Sequence, residues 1–590
     1  MSGYPQRADE LVGRYLDHVR EHAPVEATRL GIRDRDGELP DLGAPALAQR
    51  SRDLAVLAAE VRAAMAELPT GPVGPGGKPA VHGDDREAAG DLQLLADDLE
   101  YRRFLLDVRP RYVLDPLAAL ETISAGIHEH LRRVDLPQTE QRRRLAAATA
   151  RARRVPVLLE QAGSLLRSSP APHLGVALDR LPGLVKLVRD ELPRRAEQIG
   201  GDVTHARDAG EVAAEGLEAY GALLDELHDE PSAGWRLGPE QHEVTLRAAL
   251  GTAMAPAEIE RRARRWLEEI CAELAELSGA SWERRFPGER RPDDVNVRVR
   301  RVLAQVADRS VHRHELVAEA RRAVDEARAF AIASGLADIP PADRLTVTEA
   351  PEYLRGIAVA FVTQAPPLEP DTGCTYYLSP VPDTWDDDLA ESFLREYNPA
   401  QLRSLAIHEG YPGHFVQLEH ASQHPRVARR LLGRPAFAEG WAVYIEREAV
   451  KAGFGDGGTS AVPGEDYRLT QRKLELRIAS NALLDVGLHA GDLGDEAALE
   501  LLTHTAFQER AEAEGKLVRA KVTSGQLCSY FVGGEEMADL RREFETAAGA
   551  DFDQRAFHQA VLSHGTPTVA IVREALLDGA PVRRPFASGA

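Results

Sequence analysis

The stretch PAQLRSLAIHEGYPGHFVQLEH, residues 399–420, combines a helical pattern with residues that helices tolerate poorly. Apolar side chains recur at three- and four-residue spacing as far as His408, which predicts an amphipathic helix. Gly410, Pro412 and Gly413 then interrupt the pattern, because proline removes a backbone donor and glycine tolerates unusual dihedral angles. The stretch therefore predicts a helical protein whose helix is deformed at this point.

The same stretch contains a candidate metal site. Glu409 follows His408 directly, and His414 stands six positions after the first histidine. In zinc hydrolases two imidazoles hold the metal, and a carboxylate between them takes a proton from the activated water. The usual spacing of four keeps both imidazoles on one helix face, whereas six residues place them about 120° apart on an ideal helix. Spacing alone leaves open a metal site on a deformed helix or a helix end with two incidental histidines.

A third candidate ligand follows in the helical segment FAEGWAVYIE, residues 437–446. A catalytic zinc ion takes three protein ligands and keeps one position open for water, and Glu439 would complete that number. Glu446 lies seven residues later on nearly the same helix face, where it could orient a ligating histidine. An ordinary surface glutamate is the alternative for Glu446.

The segment LLDVGLH, residues 483–489, is a candidate wall of the site. Asp485 and His489 are four residues apart and would share one face of a helix. Such a pair could serve the site directly. A core histidine bonded to an aspartate is the alternative.

The segment SGQLCSYFVG, residues 524–533, is a second candidate wall. Ser524 could cap a helix that carries Gln526 and Tyr530 on one face. A phenol near a metal could donate a hydrogen bond to the oxyanion that forms when water attacks a carbonyl. Tyrosine packed in a core is the commoner situation.

Helical periodicity also fills most of the remaining chain. Two breaks predict loops: a Pro- and Gly-rich stretch at residues 69–84, and residues 453–464. The clearest helical segments are residues 10–22, 47–67, 91–106 and 142–166.

Three short runs between residues 344 and 381 depart from the helical pattern. LTVT (345–348), IAVAFV (357–362) and CTYYL (374–378) are rich in β-branched or aromatic residues, so they predict a small sheet. The sheet precedes the candidate site, where an edge strand could pair with an extended substrate. A sheet that only caps the core is the alternative.

Composition bounds the class of protein. The chain has 590 residues, 43% hydrophobic and 28% charged, which is typical of a globular protein. A net charge of −22 without a basic stripe argues against nucleic-acid binding. The three cysteines are too few and too scattered for a disulfide framework. Residues 1–30 lack an apolar leader, and no apolar run approaches the ~20 residues that span a bilayer. We therefore predict a cytoplasmic protein without nucleic-acid or membrane partners.

Taken together, these blocks resemble the bacterial family known as domain of unknown function 885. The resemblance is carried by HEGYPGH (408–414) with FAEGWAVYIE, and by matching blocks that run nearly the whole chain. These further blocks are ATRLGIRDRDGELPDLG (27–43), LLDVGLHAG (483–491), SGQLCSYFVG and FHQAVLSHG (557–565). The family in turn resembles the gluzincin metallopeptidases, which use two histidines and a downstream glutamate on mostly helical folds with a cleft.

The resemblance implies a role for each candidate residue. It implies that Glu409 is the general base and that Tyr530 stabilises the oxyanion. It also implies that Arg519 holds a substrate carboxylate. The implied metal ligands are His408, His414 and Glu439. The implied cleft residues are His489, with a catalytic role, and Gln526, which contacts substrate. From their spacing, we expect Glu446 and Asp485 to support these residues from behind.

We expect a mainly α protein: a large two-lobed helical metallopeptidase-like fold with a deep cleft and a small β-sheet beside the active site. It should be one family-length unit over residues 1–590, with lobes near 1–240 and 241–590. We expect a zinc-dependent hydrolase of peptide or related amide bonds, with one Zn²⁺ per chain, acting on short peptides or modified amino-acid amides. The alternatives are a non-catalytic binding protein on a degenerate peptidase scaffold and an amide hydrolase of secondary metabolism.

Overall fold

Helices make up most of the protein, and one small three-stranded sheet occurs among the described residues. The predicted mainly α class is confirmed. The structure, a computed structural model, describes residues 3–68, 83–134, 136–166, 168–229, 234–350, 359–369, 373–383, 385–456 and 462–577. Most of the loop predicted at residues 69–84 lies outside these ranges, as do residues 457–461 of the second predicted loop.

The chain divides into two compact units, of which the first comprises Met1–Trp235 and Pro366–Glu369. The short second piece joins this unit through Arg33, whose guanidinium donates to Glu369 at 2.8 and 2.7 Å. Its helices are α1 (Tyr4–His22), α2 (Pro24–Leu30), α3 (Ala44–Ala66), α4 (Asp84–Arg103), α5 (Arg111–Leu114), α6 (Leu117–Leu131), α7 (Gln138–Ala152), α8 (Val155–Leu165), α9 (Ala171–Lys186), α10 (Leu192–Gln198) and α11 (Val203–Asp229), with π-helical turns at Phe104–Val108 and Leu187–Glu191.

The second unit comprises Arg236–Ala365 and Pro370–Ala590 and contains the sheet. Its strands are β1 (Leu345–Glu349), β2 (Ala360–Thr363) and β3 (Cys374–Leu378). Its helices are α12 (Pro239–Leu250), α13 (Pro256–Arg285), α14 (Val295–Ala307), α15 (Leu316–Ser334), α16 (Asp387–Glu396), α17 (Pro399–Leu405), α18 (His414–Ser422), α19 (Val427–Leu431), α20 (Pro435–Lys451), α21 (Gly464–His489), α22 (Asp495–Glu500), α23 (Arg510–Val522), α24 (Ser529–Ala548), α25 (Gln554–Leu562) and α26 (Val569–Leu577). Ala406–Gly410 and Leu501–Thr505 are π-helical turns, and Ala342–Arg344 and Gly549–Asp551 are 3₁₀ turns. No described helix combines the length and apolar character needed to cross a membrane.

Most of the predicted helical segments are confirmed, with one correction. The segment 142–166 is two helices, α7 and α8, separated by Arg153 and Arg154. Pro156 stands in the first turn of α8. Proline is tolerated there, but it has no backbone N–H, so the hydrogen-bond ladder of α7 cannot continue through it. The apolar spacing continues across the break, which is why periodicity alone did not reveal it.

The predicted sheet is confirmed, with strand order β1-β3-β2. β1 runs parallel to β3, with Leu345 opposite Cys374, and β2 runs antiparallel to β3, with Ala360 opposite Leu378. The central strand is the buried one, as expected for a strand covered on both sides. The described strand β2 begins at Ala360, and residues 357–358 of the predicted run lie outside the described residues.

Two glycines set the distance between α20 and α24 in the second unit. A Cβ atom on Gly533 would overlap the carbonyl oxygen of Ala436 and lie 2.7 Å from the Cα atom of Gly440. A Cβ on Gly440 would meet the backbone of Gly533 in return. The two backbones therefore touch directly, and this contact fixes which residues of the two helices face each other.

The start of α24 corrects one prediction. Ser524 does not cap this helix, since α24 begins at Ser529 and residues 524–528 form a turn. Gln526 lies in that turn and is exposed, so it does not share a helix face with Tyr530. The positive φ of 79° at Gly525 explains the difference, because this dihedral angle is incompatible with a continuing right-handed helix.

Candidate metal centre

The chain brings His408 and His414 together by leaving the helix between them. The side chain of Asn398 caps α17 by accepting from the backbone N–H groups of Ala400 and Gln401 at 3.0 and 3.2 Å. The helix then widens into the π-helical turn Ala406–Gly410, and α18 starts afresh at His414. The two imidazole centroids are 4.7 Å apart with the rings nearly perpendicular, at 87°. Because the helix is broken between them, the two imidazoles can approach each other although the histidines are six residues apart.

The connecting residues explain why this break is stable. A Cβ atom on Gly413 would overlap the carbonyl oxygens of Ile407 and His408, so only glycine fits. Its φ of −79° is an ordinary angle, which makes the requirement one of space. The indole N–H of Trp441 donates to the carbonyl oxygen of Pro412 at 2.9 Å, linking the connection to α20.

Glu439 on α20 completes a cluster with the two histidines. Its Oε2 atom lies 3.3 Å from Nε2 of His414 and 3.6 Å from Nε2 of His408. One candidate ligand atom from each of the three residues lies within 4.8 Å of the others. All three side chains are partly exposed, so a small molecule can reach the cluster. The three ligands predicted from the motif therefore converge on one point.

The donor set fits a zinc ion. Oε2 of Glu439 is buried, and it has no hydrogen-bond partner within the part of the chain that the structure describes. Although burial opposes ionisation, His414 and His408 lower the pKa of Glu439 to about 2, so the carboxylate is charged at neutral pH. This oxygen lies beside the Nε2 atoms of both imidazoles, where a cation held by all three residues would contact it. Two imidazole nitrogens and one carboxylate oxygen are a typical set for catalytic zinc.

Glu446 orients the first histidine from behind. Its Oε1 atom accepts a hydrogen bond from Nδ1 of His408 at 2.6 Å, and its side chain is buried. A carboxylate on Nδ1 fixes the tautomer that leaves the Nε2 lone pair facing the cluster. The structure thus places Glu446 where the prediction required it.

Glu409 lies between the cluster and the sheet. Burial raises the pKa of its carboxyl group, while the neighbouring His414 and His408 act in the opposite direction. The backbone N–H of Val362, in the edge strand β2, donates a hydrogen bond to this carboxylate. The sheet therefore holds the candidate base in place, and pairing of its edge strand with an extended substrate stays a prediction.

Tyr530 and Arg519 form the opposite side of the site. The charge of Glu439, followed by burial, raises the pKa of the Tyr530 phenol, which therefore keeps its proton. Arg519 on α23 donates a hydrogen bond to the phenol oxygen. Tyr530 precedes Gly533 by one helical turn and Glu439 precedes Gly440, so the glycine contact brings the two functional side chains together.

Asp485 and His489 belong to a separate, fully buried cluster. Asp485 accepts from Nε2 of His242 at 2.7 Å and from the backbone N–H of Gly525 at 3.0 Å. The rings of His242 and His489 stack with centroids 5.8 Å apart. Burial lowers the pKa of His489, which keeps its imidazole neutral. Asp485 thus fixes the turn before α24 and, through it, the position of Tyr530.

His489 itself supports the end of α23. Its Nε2 atom hydrogen-bonds to the carbonyl oxygens of Ala520 and Thr523 at 2.8 and 2.9 Å. A nitrogen bonded to two carbonyls is a donor. His489 therefore helps to position the end of α23, the helix that carries Arg519. Its direct participation in catalysis stays a prediction. Gln526 is exposed in the adjacent turn, and its contact with substrate also stays a prediction.

His242 is the residue of this region that the sequence reasoning missed. It lies on α12 and pairs with Asp485, far along the chain. No local pattern marks it, because a single histidine on an amphipathic helix is equally compatible with a surface position. Its role becomes evident only from its full burial and its hydrogen bond to Asp485.

The fold and the cluster define a mainly helical protein with a histidine–histidine–glutamate site. The chain belongs to the family described as "Bacterial protein of unknown function (DUF885)", whose match covers residues 24–576. No curated protein matches the chain. A solved structure described as "a putative lipoprotein of unknown function" from Shewanella oneidensis has a TM-score of 0.80 and 24% identity, covering 98% of this chain and 100% of that one. "The putative lipoprotein from Colwellia psychrerythraea" has a TM-score of 0.76 and 16% identity, covering 97% and 98%.

The two similar structures correct the predicted location. Both are described with the words "putative lipoprotein", and on this finding the prediction of a cytoplasmic protein is wrong. The prediction rested on the three scattered cysteines, on residues 1–30 and on the lack of an apolar run of ~20 residues. The number of cysteines reflects the redox tolerance of the folded chain, and it does not specify the compartment to which a chain is delivered.

Proposed function

We propose that this protein is a zinc-dependent hydrolase of peptide or related amide bonds. The observation that carries the proposal is the convergence of His408, His414 and Glu439, in which a Glu439 carboxylate oxygen lies 3.3 Å and 3.6 Å from the two imidazole nitrogens. The candidate base Glu409 adjoins this cluster. A site that only bound a metal would have no need of a base beside its ligands.

The residues divide the chemistry between them. When bound, a zinc ion supplies Lewis acidity, which activates a water molecule and polarises the substrate carbonyl. Glu409 accepts the proton of the attacking water and then returns it to the leaving amine. Its partial burial and the Val362 hydrogen bond hold the carboxylate in one position for both transfers. Glu446 keeps His408 in the ligating orientation throughout.

Tyr530 stabilises the charge that develops on the carbonyl oxygen. Its raised pKa keeps the phenol protonated, so it can donate a hydrogen bond to the oxyanion. Arg519, bonded to the phenol oxygen, orients that donor and is available for a substrate carboxylate. Around the histidine–histidine–glutamate cluster, the second unit thus contributes a base (Glu409), a hydrogen-bond donor for the oxyanion (Tyr530) and a guanidinium group (Arg519).

The resemblance to gluzincin metallopeptidases supports the same assignment, and with it the proposal of a deep cleft. Such a cleft would admit short peptides or modified amino-acid amides and exclude folded proteins. The descriptions of the two similar structures support action outside the cytoplasm. A peptide library screened beside small acyl-amino-acid amides would separate a peptidase from an amide hydrolase of secondary metabolism.

The decisive test is metal content. Untagged protein purified without chelator should hold about one zinc ion at this site, and Glu439→Ala should lose most of it because one of three ligands is gone. Glu391→Ala, an exposed glutamate on α16, is the matched control and should keep the metal. Mass spectrometry after zinc loading and desalting measures the zinc content per chain of wild type, Glu439→Ala and Glu391→Ala. Equal zinc in Glu439→Ala and wild type would disprove the three-ligand site.

A second prediction concerns the oxyanion donor. Tyr530→Phe should lower kcat about 10²–10³-fold, since one preformed hydrogen bond to the oxyanion is lost. Zinc content should stay unchanged, because the phenol is not a ligand. Tyr112→Phe on α5 serves as the control, and steady-state kinetics on the best substrate of the library gives the comparison. An unchanged kcat would remove Tyr530 from the mechanism.

A further inference from the structure

A second cluster of metal-ligand residues occurs in the first unit. His18 and His22 lie four residues apart on α1, which places both imidazoles on one helix face. Their ring centroids are 4.6 Å apart. This is the spacing with which a regular helix offers two imidazoles to one ion, and it needs no helix break of the kind found at His408.

Asp53 on α3 supplies the third group. Its Oδ2 atom lies 3.0 Å from Nε2 of His22, and one ligand atom from each of the three residues lies within 4.8 Å of the others. The side-chain amide of Gln49 donates to the other carboxylate oxygen, Oδ1, at 2.7 Å. Gln49 therefore orients Asp53 as residues behind a metal ligand do, with Oδ2 facing the histidines.

The strongest sign of a ligand is His18. Its side chain is 8% exposed, and its Nε2 atom is buried with no hydrogen-bond partner in the described ranges. Buried polar atoms in native proteins are nearly always paired, and this imidazole nitrogen lies beside a histidine and a carboxylate that could hold the same ion. Asp53, with a side chain 39% exposed, forms the solvent-facing rim through which an ion can enter.

The charges around the cluster permit a cation. Arg102 acts on His18 electrostatically, but its guanidinium is itself paired with Asp98 and Glu26, which neutralise it. Arg50 also acts on His18, and the Asp53 carboxylate opposes its charge. A divalent ion would meet two imidazole nitrogens and one carboxylate oxygen, the same donor set as in the second unit.

We propose that His18, His22 and Asp53 bind a second divalent metal ion, of which zinc is the best match, linking α1 to α3. Tetrahedral zinc with bonds of 2.0–2.1 Å needs ligand atoms roughly 3.4 Å apart, so a small side-chain adjustment completes the site. The ion stabilises the helix pair and is independent of the candidate hydrolytic centre.

The position of the neighbouring residue Glu21 indicates whether the ion has a structural role or forms a second reaction centre. Residues 18–22 read HVREH, the H-x-x-E-H order in which one class of zinc peptidases carries its ligands and base. Glu21 is exposed, however, and it is not one of the three residues whose ligand atoms converge. A base has to reach the water at the ion, so the exposed position of Glu21 assigns this site to stability.

The test removes the other site first. Full-length, untagged His408→Ala/His414→Ala protein is loaded with zinc, desalted and measured by mass spectrometry, with Co²⁺ absorption as a second readout. About one ion should remain, and His22→Gln or Asp53→Asn added to this background should remove it. Glu21→Gln in the same background is the matched control and should keep the ion.

Stability provides a readout separate from metal content. Zinc should raise the midpoint of thermal unfolding of the background protein, because a ligand that binds only the folded state stabilises it, and the shift should vanish with His22→Gln. Circular dichroism checks that each variant folds. No ion in the background protein after zinc loading, or an ion retained in both His22→Gln and Asp53→Asn, overturns the proposal. Neither outcome bears on the hydrolase, whose ligands are already removed.

Discussion

Replacing Glu409 with glutamine should lower kcat/KM about 10²–10⁴-fold, the range that general acid–base catalysis supplies. Glutamine keeps the size of the side chain but cannot accept the proton of the attacking water or return it to the leaving amine. The carboxylate is held by the N–H of Val362 beside the two imidazoles, so no other group can take its place without a rearrangement. The rate is measured on the best substrate of a peptide library.

The control for this variant separates chemistry from metal binding. Zinc content should be the same in Glu409→Gln and wild type, because Glu409 is not one of the converging ligands. Glu391→Gln, which alters an exposed glutamate in the same way, should have the rate of wild type. Full activity in Glu409→Gln would be incompatible with the mechanism. Loss of zinc together with activity would make Glu409 a structural residue of the metal site.

The parts of the site that the sequence predicts are those encoded locally. His408, Glu409 and His414 lie within one short stretch, and Glu439 and Glu446 lie on one later helix. Histidines and glutamates at these spacings are enough to suggest a set of metal ligands. The break that joins the two histidines could also be anticipated, because glycine and proline disrupt helices for local reasons.

The parts that the sequence does not predict depend on contacts between distant residues. His242 supports Asp485 from another helix, and the N–H of Val362 reaches Glu409 from an edge strand. A backbone donor carries no sequence signature, since every residue except proline has one. The late start of α24 was missed because Gly525 adopts a positive φ, which the letters SGQ alone do not reveal.

The cluster of His18, His22 and Asp53 also depends on contacts that the sequence does not reveal. His18 and His22 have the helical spacing of a metal pair, yet a helix with two histidines is common and needs no ligand. Asp53 and the unpaired Nε2 atom become evident only when α1 and α3 are packed. Spacing thus indicates candidate ligands. Burial and a third ligand group from another helix then support a metal site.

The glycine contact between α20 and α24 gives the largest expected effect on stability. Gly533→Ala should reduce the free energy of unfolding by about 3 kcal/mol or more, above the usual range for overpacking, because the atoms in the way belong to the backbone. The new Cβ would overlap the carbonyl oxygen of Ala436 and press on Gly440, so relief requires the helices to separate. That separation would move Tyr530 away from Glu439.

Gly515→Ala is the matched control, since Gly515 lies within α23 and a Cβ there meets nothing within 4 Å. Alanine should stabilise that helix by about 0.5–1 kcal/mol, because it restricts the unfolded chain. Thermal unfolding should therefore shift in opposite directions for the two glycine-to-alanine variants. Any Gly533→Ala protein that still folds should retain zinc less well, because Glu439 adjoins the displaced contact. Equal unfolding midpoints for Gly533→Ala and wild type would show that the helix crossing tolerates a side chain and does not set the geometry of the site.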